Sequence, residues 1–332
     1  MSKIDLENHF LIPEILEYFT GRTEFPIYYP EKKQMRYNED YPFITPVNMP
    51  KLLQSPEERI ADLDAFGVTM QVLSSAPGIT GVKNPEDAKA LCRKSNEFIH
   101  EAMTRCPGRF SGFATLPYQD VGMAVEELEH CVKEWNFFGV LAFSNFGPTS
   151  LDDPMYLPVL EKAAELDVPF YIHPLVAHDG RLRGMGNLLA TASFGFAVEV
   201  CITVMRLLLT GCFDKFPNLK IIIGHMGEFF PFIFHRTDVR FLRENRAPAV
   251  NQKSFSHYFE NNIWITTSGV FAQESFRCAR DVVGLNKILF ASDYPFEKLS
   301  HSVEYVDSLP LSTADREAIY SGNAKKVFSR LD

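Results

Sequence analysis

Short runs of β-branched, leucine and aromatic residues recur along the whole chain, separated by segments with helical spacing or by irregular polar stretches. The runs predict strands at residues 3–6, 68–74, 111–116, 139–143, 168–172, 219–224, 263–267 and 287–291. Two of them, Phe170-Tyr171-Ile172 and Ile221-Ile222-Ile223, are apolar at every position. That is the pattern of parallel strands covered on both faces, not the alternation of a half-exposed sheet. Helices are predicted between them at residues 56–65, behind a Ser55-x-x-Glu58 capping box, and at 84–106, 121–135 and 153–166. Eight strands alternating with helices, with no linker or low-complexity tract, predict one α/β domain over residues 1–332, a (β/α)8 TIM barrel. A two-domain doubly wound protein is the alternative. It calls for a Gly-rich phosphate turn after an early strand, and Leu6-Glu7-Asn8-His9 is not one.

Two connections are long. Residues 10–54 follow the first strand and carry Tyr18, Phe19, Phe25, Tyr28, Tyr29, Tyr37, Tyr41 and Phe43. This aromatic content predicts an ordered insert over the site, packed on the barrel or another subunit, or entering the pocket. Residues 175–194 follow the fifth strand and contain His178, Arg181 and Arg183.

The 332 residues hold 33 Lys+Arg against 42 Asp+Glu, a formal charge of −9. That balance argues against a general nucleic-acid binder, which needs surplus cations to displace phosphate counterions. Met1-Ser2-Lys3 runs straight into Ile4-Asp5-Leu6 without a basic and apolar leader, and no stretch reads as a membrane span. The expectation is a soluble, cytoplasmic protein without membrane or nucleic-acid partners. Six cysteines, scattered and without a CxxC, read as free thiols in a reducing compartment.

Polar residues fall at telling places on this frame. Glu7 and His9 lie just past the first predicted strand, His173 ends the fifth, His225 ends the sixth, and Asp293 follows the eighth. The C-terminal ends of parallel barrel strands open on one face, so these five residues converge on one mouth. Taken singly, Glu7 is a solvated strand end, His173 a hydrogen-bonded core histidine, and Asp293 a helix N-cap. Their coincidence favours a metal site. Glu7, His9, His173 and Asp293 as ligands suit Zn, Mn or Fe(II) better than Ca, and leave positions open for substrate. His225 and Glu228 are three apart and can meet, the carboxylate holding the imidazole's tautomer. Arg236, eight residues past Glu228, shares its face on a continuous helix, as its counter-ion or as an anchor for a substrate anion.

These residues sit in motifs with a family likeness. Glu7-Asn8-His9-Phe10, Tyr171-Ile172-His173-Pro174, Ile223-Gly224-His225-Met226-Gly227-Glu228, Thr266-Thr267-Ser268-Gly269 and Phe290-Ala291-Ser292-Asp293-Tyr294-Pro295-Phe296-Glu297 together resemble the amidohydrolase superfamily. More narrowly they resemble its non-oxidative decarboxylases, the aminocarboxymuconate-semialdehyde decarboxylase group and above all the γ-resorcylate and 2,3-dihydroxybenzoate decarboxylases. The likeness runs to Asn323-Ala324-Lys325-Lys326-Val327-Phe328. It implies that Glu7, His9, His173 and Asp293 hold one divalent ion, that His225 and its partner Glu228 are catalytic, and that Asp293 also handles the proton. Arg59 falls at an arginine of the family and is implied in substrate binding. The resorcylate-type enzymes carry Asn near the end of strand 4, where this chain has Phe143 with Asn145 two residues on. Both enter as candidate substrate contacts.

The implied reaction is metal-dependent decarboxylation of an ortho-hydroxy aromatic acid to the phenol and CO2, with Zn or Mn, in a homodimer or homotetramer. An ortho hydroxyl lets the ring carbon be protonated before CO2 leaves, which avoids a bare aryl carbanion. Asp293 is the implied donor, with His225 supporting the phenolic oxygen or relaying the proton. Metal-dependent hydrolysis of an amide or lactone is the alternative, though such enzymes mostly begin with HxH and this chain has ExH. A non-enzymatic metal-binding protein is a third.

Overall fold

A computed structural model describes residues 1–38, 42–243 and 248–331. The barrel strands are β1 (Ile4–Phe10), β2 (Met70–Ser75), β3 (Phe110–Ala114), β4 (Gly139–Phe143), β5 (Phe170–His173), β6 (Ile221–Ile223), β7 (Ile263–Thr266) and β8 (Ile288–Leu289). They pair in chain order, and every ladder is parallel. The chain after β8 closes the ring onto β1. Leu6 N–H donates to Phe290 O (3.2 Å), His9 N–H to Tyr294 O (2.7 Å), and Tyr294 N–H to Glu7 O (3.2 Å). The expected TIM barrel is present, with one difference that matters: β1 extends to Phe10, so Glu7 and His9 lie within the strand rather than past it.

Alternation sorts the strand residues into two cores. Ile222, Leu141 and Phe143 fill the barrel interior, whereas Ile221, Ile223, Val140 and Ala142 pack outward under the helices. The all-apolar strands arise because both surfaces are covered. Phe328, from the last helical turn, plugs the interior against Phe138 and Phe113, with ring centroids at 5.4 and 6.0 Å.

In β1 the alternation is interrupted on purpose. Asp5 pairs with Gln71 and Asn8 with Leu73, so one extra residue sits in β1 between them. Ile4 and Leu6 face the interior core, yet after this bulge Phe10 joins the outer one. The shift turns Glu7 and His9, instead of Asn8 and Phe10, toward the mouth.

The helices follow their sequence signals. Pro56–Phe66 carries the complete capping box, Ser55 N–H to Glu58 Oε2 (2.8 Å) and Glu58 N–H to Ser55 Oγ (3.3 Å). Asn84 caps Pro85–Arg105, and Asp120 caps Val121–Lys133. The expected helix at 153–166 divides into a 3₁₀ turn, Pro154–Tyr156, and the helix Leu157–Glu165. All six cysteines are free.

The insert after β1 folds into the helix Pro13–Phe19, an antiparallel sheet of Ile27–Tyr29, Gln34–Arg36 and Pro42–Ile44, and the short helix Met49–Leu52. It clamps to the barrel's flank through Lys94 to Glu14 (3.3 Å), Lys83 to Glu24 (2.7 Å) and Tyr18 to Asp87 (3.3 Å). Tyr41 lies outside the described residues. The segment after β5 forms a 3₁₀ turn, Gly180–Leu182, then the helices Asn187–Ala190 and Gly195–Leu209. Residues 187–209, interrupted by Glu199 and Arg206, are long and apolar enough by composition alone to cross a membrane. The fold breaks this run at residues 191–194. The continuous helix keeps 15 residues, about 22 Å against a hydrocarbon core of about 30 Å.

Candidate active site and metal centre

Four side chains meet at the barrel mouth. One donor atom each from Glu7, His9, His173 and Asp293 lies within 4.8 Å of the other three. His9 Nε2 is 3.3 Å from Asp293 Oδ1 and 3.9 Å from Glu7 Oε1, and His173 Nε2 is 3.8 Å from that same oxygen. Three of the four donors are aimed by a partner behind them. Tyr171 O–H donates to Glu7 Oε2 at 2.5 Å and contacts Thr266 Oγ1 at 3.1 Å. His173 Nδ1–H donates to Pro174 O (2.8 Å), which leaves Nε2 unprotonated and facing the gap. His9 Nδ1 bonds Ser74 Oγ (3.1 Å), so its Nε2 faces the gap as well. Outer partners of this kind fix tautomer and orientation in metal sites. Glu7 Oε1 and His9 Nε2 are buried without any hydrogen-bond partner, a costly state that a bound cation relieves. The residues therefore fit one divalent ion.

Electrostatics agree with that fit. Burial, and then the charge of Asp293, push the Glu7 carboxyl above its ordinary range, against the pull of His225 and His9. Burial, with His9 nearby, holds His173 well below the usual imidazole range, hence neutral and able to ligate. Burial favours a neutral Asp293, but the neighbouring His225 and His9 imidazoles overcome it and hold this carboxyl well below its ordinary value.

His225 stands beside the donors with Nε2 3.9 Å from Asp293 Oδ2 and Nδ1 2.7 Å from Glu228 Oε1. Burial disfavours its charge, yet Glu228, Glu7 and Asp293 outweigh that and raise its pKa well above the usual value. The backbone here is strained: His225, Met226, Glu228 and Asp293 have φ of 50°, 58°, 55° and 65°. Such conformations persist at functional sites where the surroundings over-determine them. Gly269 leaves room for the imidazole, since a Cβ there lies 3.1 Å from His225 Cδ2.

A cavity of about 260 Å³ opens above the donors. His173, His225, Glu228, Asp293, Phe296 and Glu297 line it, and Asn187, Thr191 and Phe196 cover it from the segment after β5. Among the described residues, no side chain of the 10–54 insert lines it, so the cover comes from a different connection than the aromatic content suggested.

Four expected substrate contacts lie elsewhere. Arg59 is buried outside the cavity, where Nη2 donates to His9 O (2.6 Å) and Lys51 O (3.3 Å) and the guanidinium sits 5.4 Å from the Tyr294 ring. It props the backbone of a donor from behind. Arg236 is exposed on the helix Phe230–Arg243. Glu228 precedes that helix with φ of 55°, so the expected continuous helix is absent and the two residues share no face. Phe143 and Asn145 line a second cavity, with Asn145 Nδ2 bonded to Glu199 Oε2 (2.7 Å) and Val176 O (3.3 Å).

The sequence reading overlooked three supports. Tyr171 is hidden in a run that reads as core, although a buried tyrosine hydroxyl usually finds a partner. Ser74 gave no signal. Asp5 accepts from Ser292 N–H (2.8 Å) and Ser292 O–H (2.6 Å), tying β1 to the residue before Asp293. Burial pushes the Asp5 carboxyl up to about 7 despite those bonds.

Comparison with known proteins supplies the kinship. The chain is 35% identical over 337 residues to the γ-resorcylate decarboxylase of Polaromonas sp. (strain JS666), covering 98% of each. Its fold superposes on a crystal structure of 2,6-dihydroxybenzoate decarboxylase complexed with 2,6-dihydroxybenzoate, with a TM-score of 0.86, 31% identity and 99% of both chains covered. A dihydroxybenzoic acid decarboxylase from Polaromonas sp. JS666, with bound manganese and the inhibitor 2-nitroresorcinol, gives a TM-score of 0.85 at 33% identity, covering 99% of this chain and 97% of that one. The family description of the amidohydrolases matches residues 4–330, and the chain belongs to that family.

Proposed function

We infer that this chain is a metal-dependent, non-oxidative decarboxylase of a hydroxybenzoate-type acid. The observation that carries the reading is the buried quartet Glu7, His9, His173 and Asp293 around one gap, with the His225–Glu228 pair beside it. Kinship with γ-resorcylate and 2,6-dihydroxybenzoate decarboxylases favours this over hydrolysis of an amide or lactone. The mixed nitrogen and oxygen donors suit manganese, which a similar enzyme binds, or zinc. Glu7, His9, His173 and Asp293 would hold the ion, which would supply a Lewis acid for the substrate's negative charge.

The protein's own groups move the proton. Asp293 starts ionised, so it accepts the ortho-hydroxyl proton as the acid settles and returns it to the ring carbon bearing the carboxylate. The carbon–carbon bond then breaks, its electron pair restores the aromatic ring, and CO2 leaves. His225, kept cationic by Glu228, donates to the phenolic oxygen as charge builds there. No lysine or arginine lines the metal cavity among the described residues, so the substrate's negative charge is met by the ion and by His225.

A homodimer or homotetramer is part of the same proposal, as is a cytoplasmic setting, which the free thiols suit. Met185, Leu188 and Phe232 are 74%, 78% and 88% exposed, and the rings of Phe194 and Phe229 pair between the segments that carry them. Exposed apolar residues in number are what a contact between chains would cover, and they support this reading.

Manganese-loaded enzyme offered a panel of ortho-hydroxybenzoates releases CO2 and phenol. Asp293→Asn lowers kcat by roughly 10²-fold or more while metal stays bound; unchanged turnover in this variant overturns the assignment. Tyr171→Phe weakens metal binding by about ten- to a hundredfold, read by titration of metal-stripped protein. Glu228→Gln removes the charge that favours the imidazolium, so His225 loses its proton at lower pH. The alkaline limb of kcat/KM therefore moves toward acid by about one unit or more. In sedimentation, wild-type protein runs as a dimer or tetramer and Phe232→Glu as a smaller species; a wild-type monomer refutes the assembly.

A further inference from the structure

A second cavity, of about 500 Å³, opens on the same end of the barrel. It is walled by residues 79–83 after β2, 115–119 after β3, Leu141 and Phe143 on β4, and Leu175 after β5. It is nearly twice the volume of the metal cavity. Protein interiors seldom leave space beyond a water molecule, and a cavity kept for water needs several polar groups to hold it. This wall is mainly apolar and aromatic; Thr115 Oγ1, the Tyr118 hydroxyl and Gln119 Oε1, on residues lining it, are buried without a hydrogen-bond partner, too few to fill such a volume with water. Tyr118, Phe146 and Tyr156 form a ring cluster along it, with centroids 4.5, 4.8 and 5.8 Å apart. Its charged member, Lys83, is engaged by Glu24 (2.7 Å), and Asn145 is engaged by Glu199.

Phe143 lines the second cavity and stands beside His173, which lines the first. Its ring stands edge-on to that of His173, centroids 5.8 Å apart, while the Nε2 of His173 faces the metal donors. The second cavity thus begins one imidazole and one phenyl ring away from the gap. Gly78 lies behind Phe143 at φ 57°; a Cβ added there meets Ser75 O at 2.9 Å and Phe143 Cε2 at 3.8 Å, so the turn and the Ser75 carbonyl, not the ring, demand glycine.

We propose that the second cavity receives an uncharged, apolar extension of the substrate, an alkyl chain or second ring, and that Phe143 governs its passage. This rests on the decarboxylase reading of the metal site. The substrate class is then a 2-hydroxybenzoate carrying a sizeable hydrophobic substituent, not a bare dihydroxybenzoate.

The test is kcat/KM of the manganese-loaded enzyme for 2-hydroxybenzoate and its methyl, butyl and phenyl derivatives at each open ring position. Each methylene taken from water contributes about fourfold. At one position the butyl or phenyl acid therefore exceeds the parent by roughly tenfold or more. Thr80→Trp and Met155→Trp, which fill the cavity from two sides, return that ratio toward one. A merely loosened fold lowers both acids together and leaves the ratio alone. If the parent is decarboxylated and no extended acid gains, or if the gain survives both variants, the subsite is refuted while the reaction stands. If no acid on the panel loses CO2, the reading of the reaction falls and the subsite with it.

Discussion

Two carboxylates and two imidazole nitrogens aimed into one gap repel one another unless a cation lies among them. Glu7 is wholly buried, and Asp293 adds its own charge to the cost of keeping Glu7 ionised. A divalent ion turns this repulsion into attraction, so metal affinity and the stability of the barrel mouth are one quantity. The partners behind the donors keep them converged: Tyr171 on Glu7, Ser74 on His9, and the Pro174 carbonyl on His173. Arg59 and Asp5 act from farther back, through the His9 carbonyl and the Ser292 amide. Both are buried residues engaged at or beside the donors' backbone, and neither lines the cavity above the donors.

Chain closure is what makes this arrangement available. Glu7 and Asp293 are neighbours only because the segment after β8 returns to hydrogen-bond β1. The bulge in β1 then decides which side chains face the mouth. Without it, Asn8 and Phe10 would continue the inward series that Ile4 and Leu6 begin, and half of the donor set would point under the helices.

The cavity above the donors is sparing with positive charge. The imidazolium of His225, stabilised by Glu228, is the protein's own cationic group there. On the proposed reaction, a bound ion would meet the substrate's carboxylate and hydrophobic walls would meet its ring. Phe296 packs near His9 at 5.7 Å, Phe196 comes from the segment after β5, and Phe143 lines the larger cavity beside His173. Charge selects the reacting end of the substrate, and apolar volume selects the remainder.

Much of this was legible in the chain itself. Eight apolar runs with intervening helical periodicity specify the barrel, because a strand covered on both faces must be apolar on both. Acid and imidazole residues at the ends of those runs specify the donors, because parallel strands share one open end. Other features depend on contacts between distant residues and leave no local trace. The sequence of β1 does not announce its bulge, Arg59 reads the same whether it faces substrate or the His9 carbonyl, and Tyr171 looks like core until Glu7 is seen opposite it. The cover over the cavity comes from the segment after β5 because the aromatic insert buries its apolar residues in the outer core and forms ion pairs on the flank. Local pattern determined which chemistry the chain carries; only tertiary packing decided which groups touch the substrate and which hold those groups in place. The reason is that side-chain direction is set by neighbours hundreds of residues away.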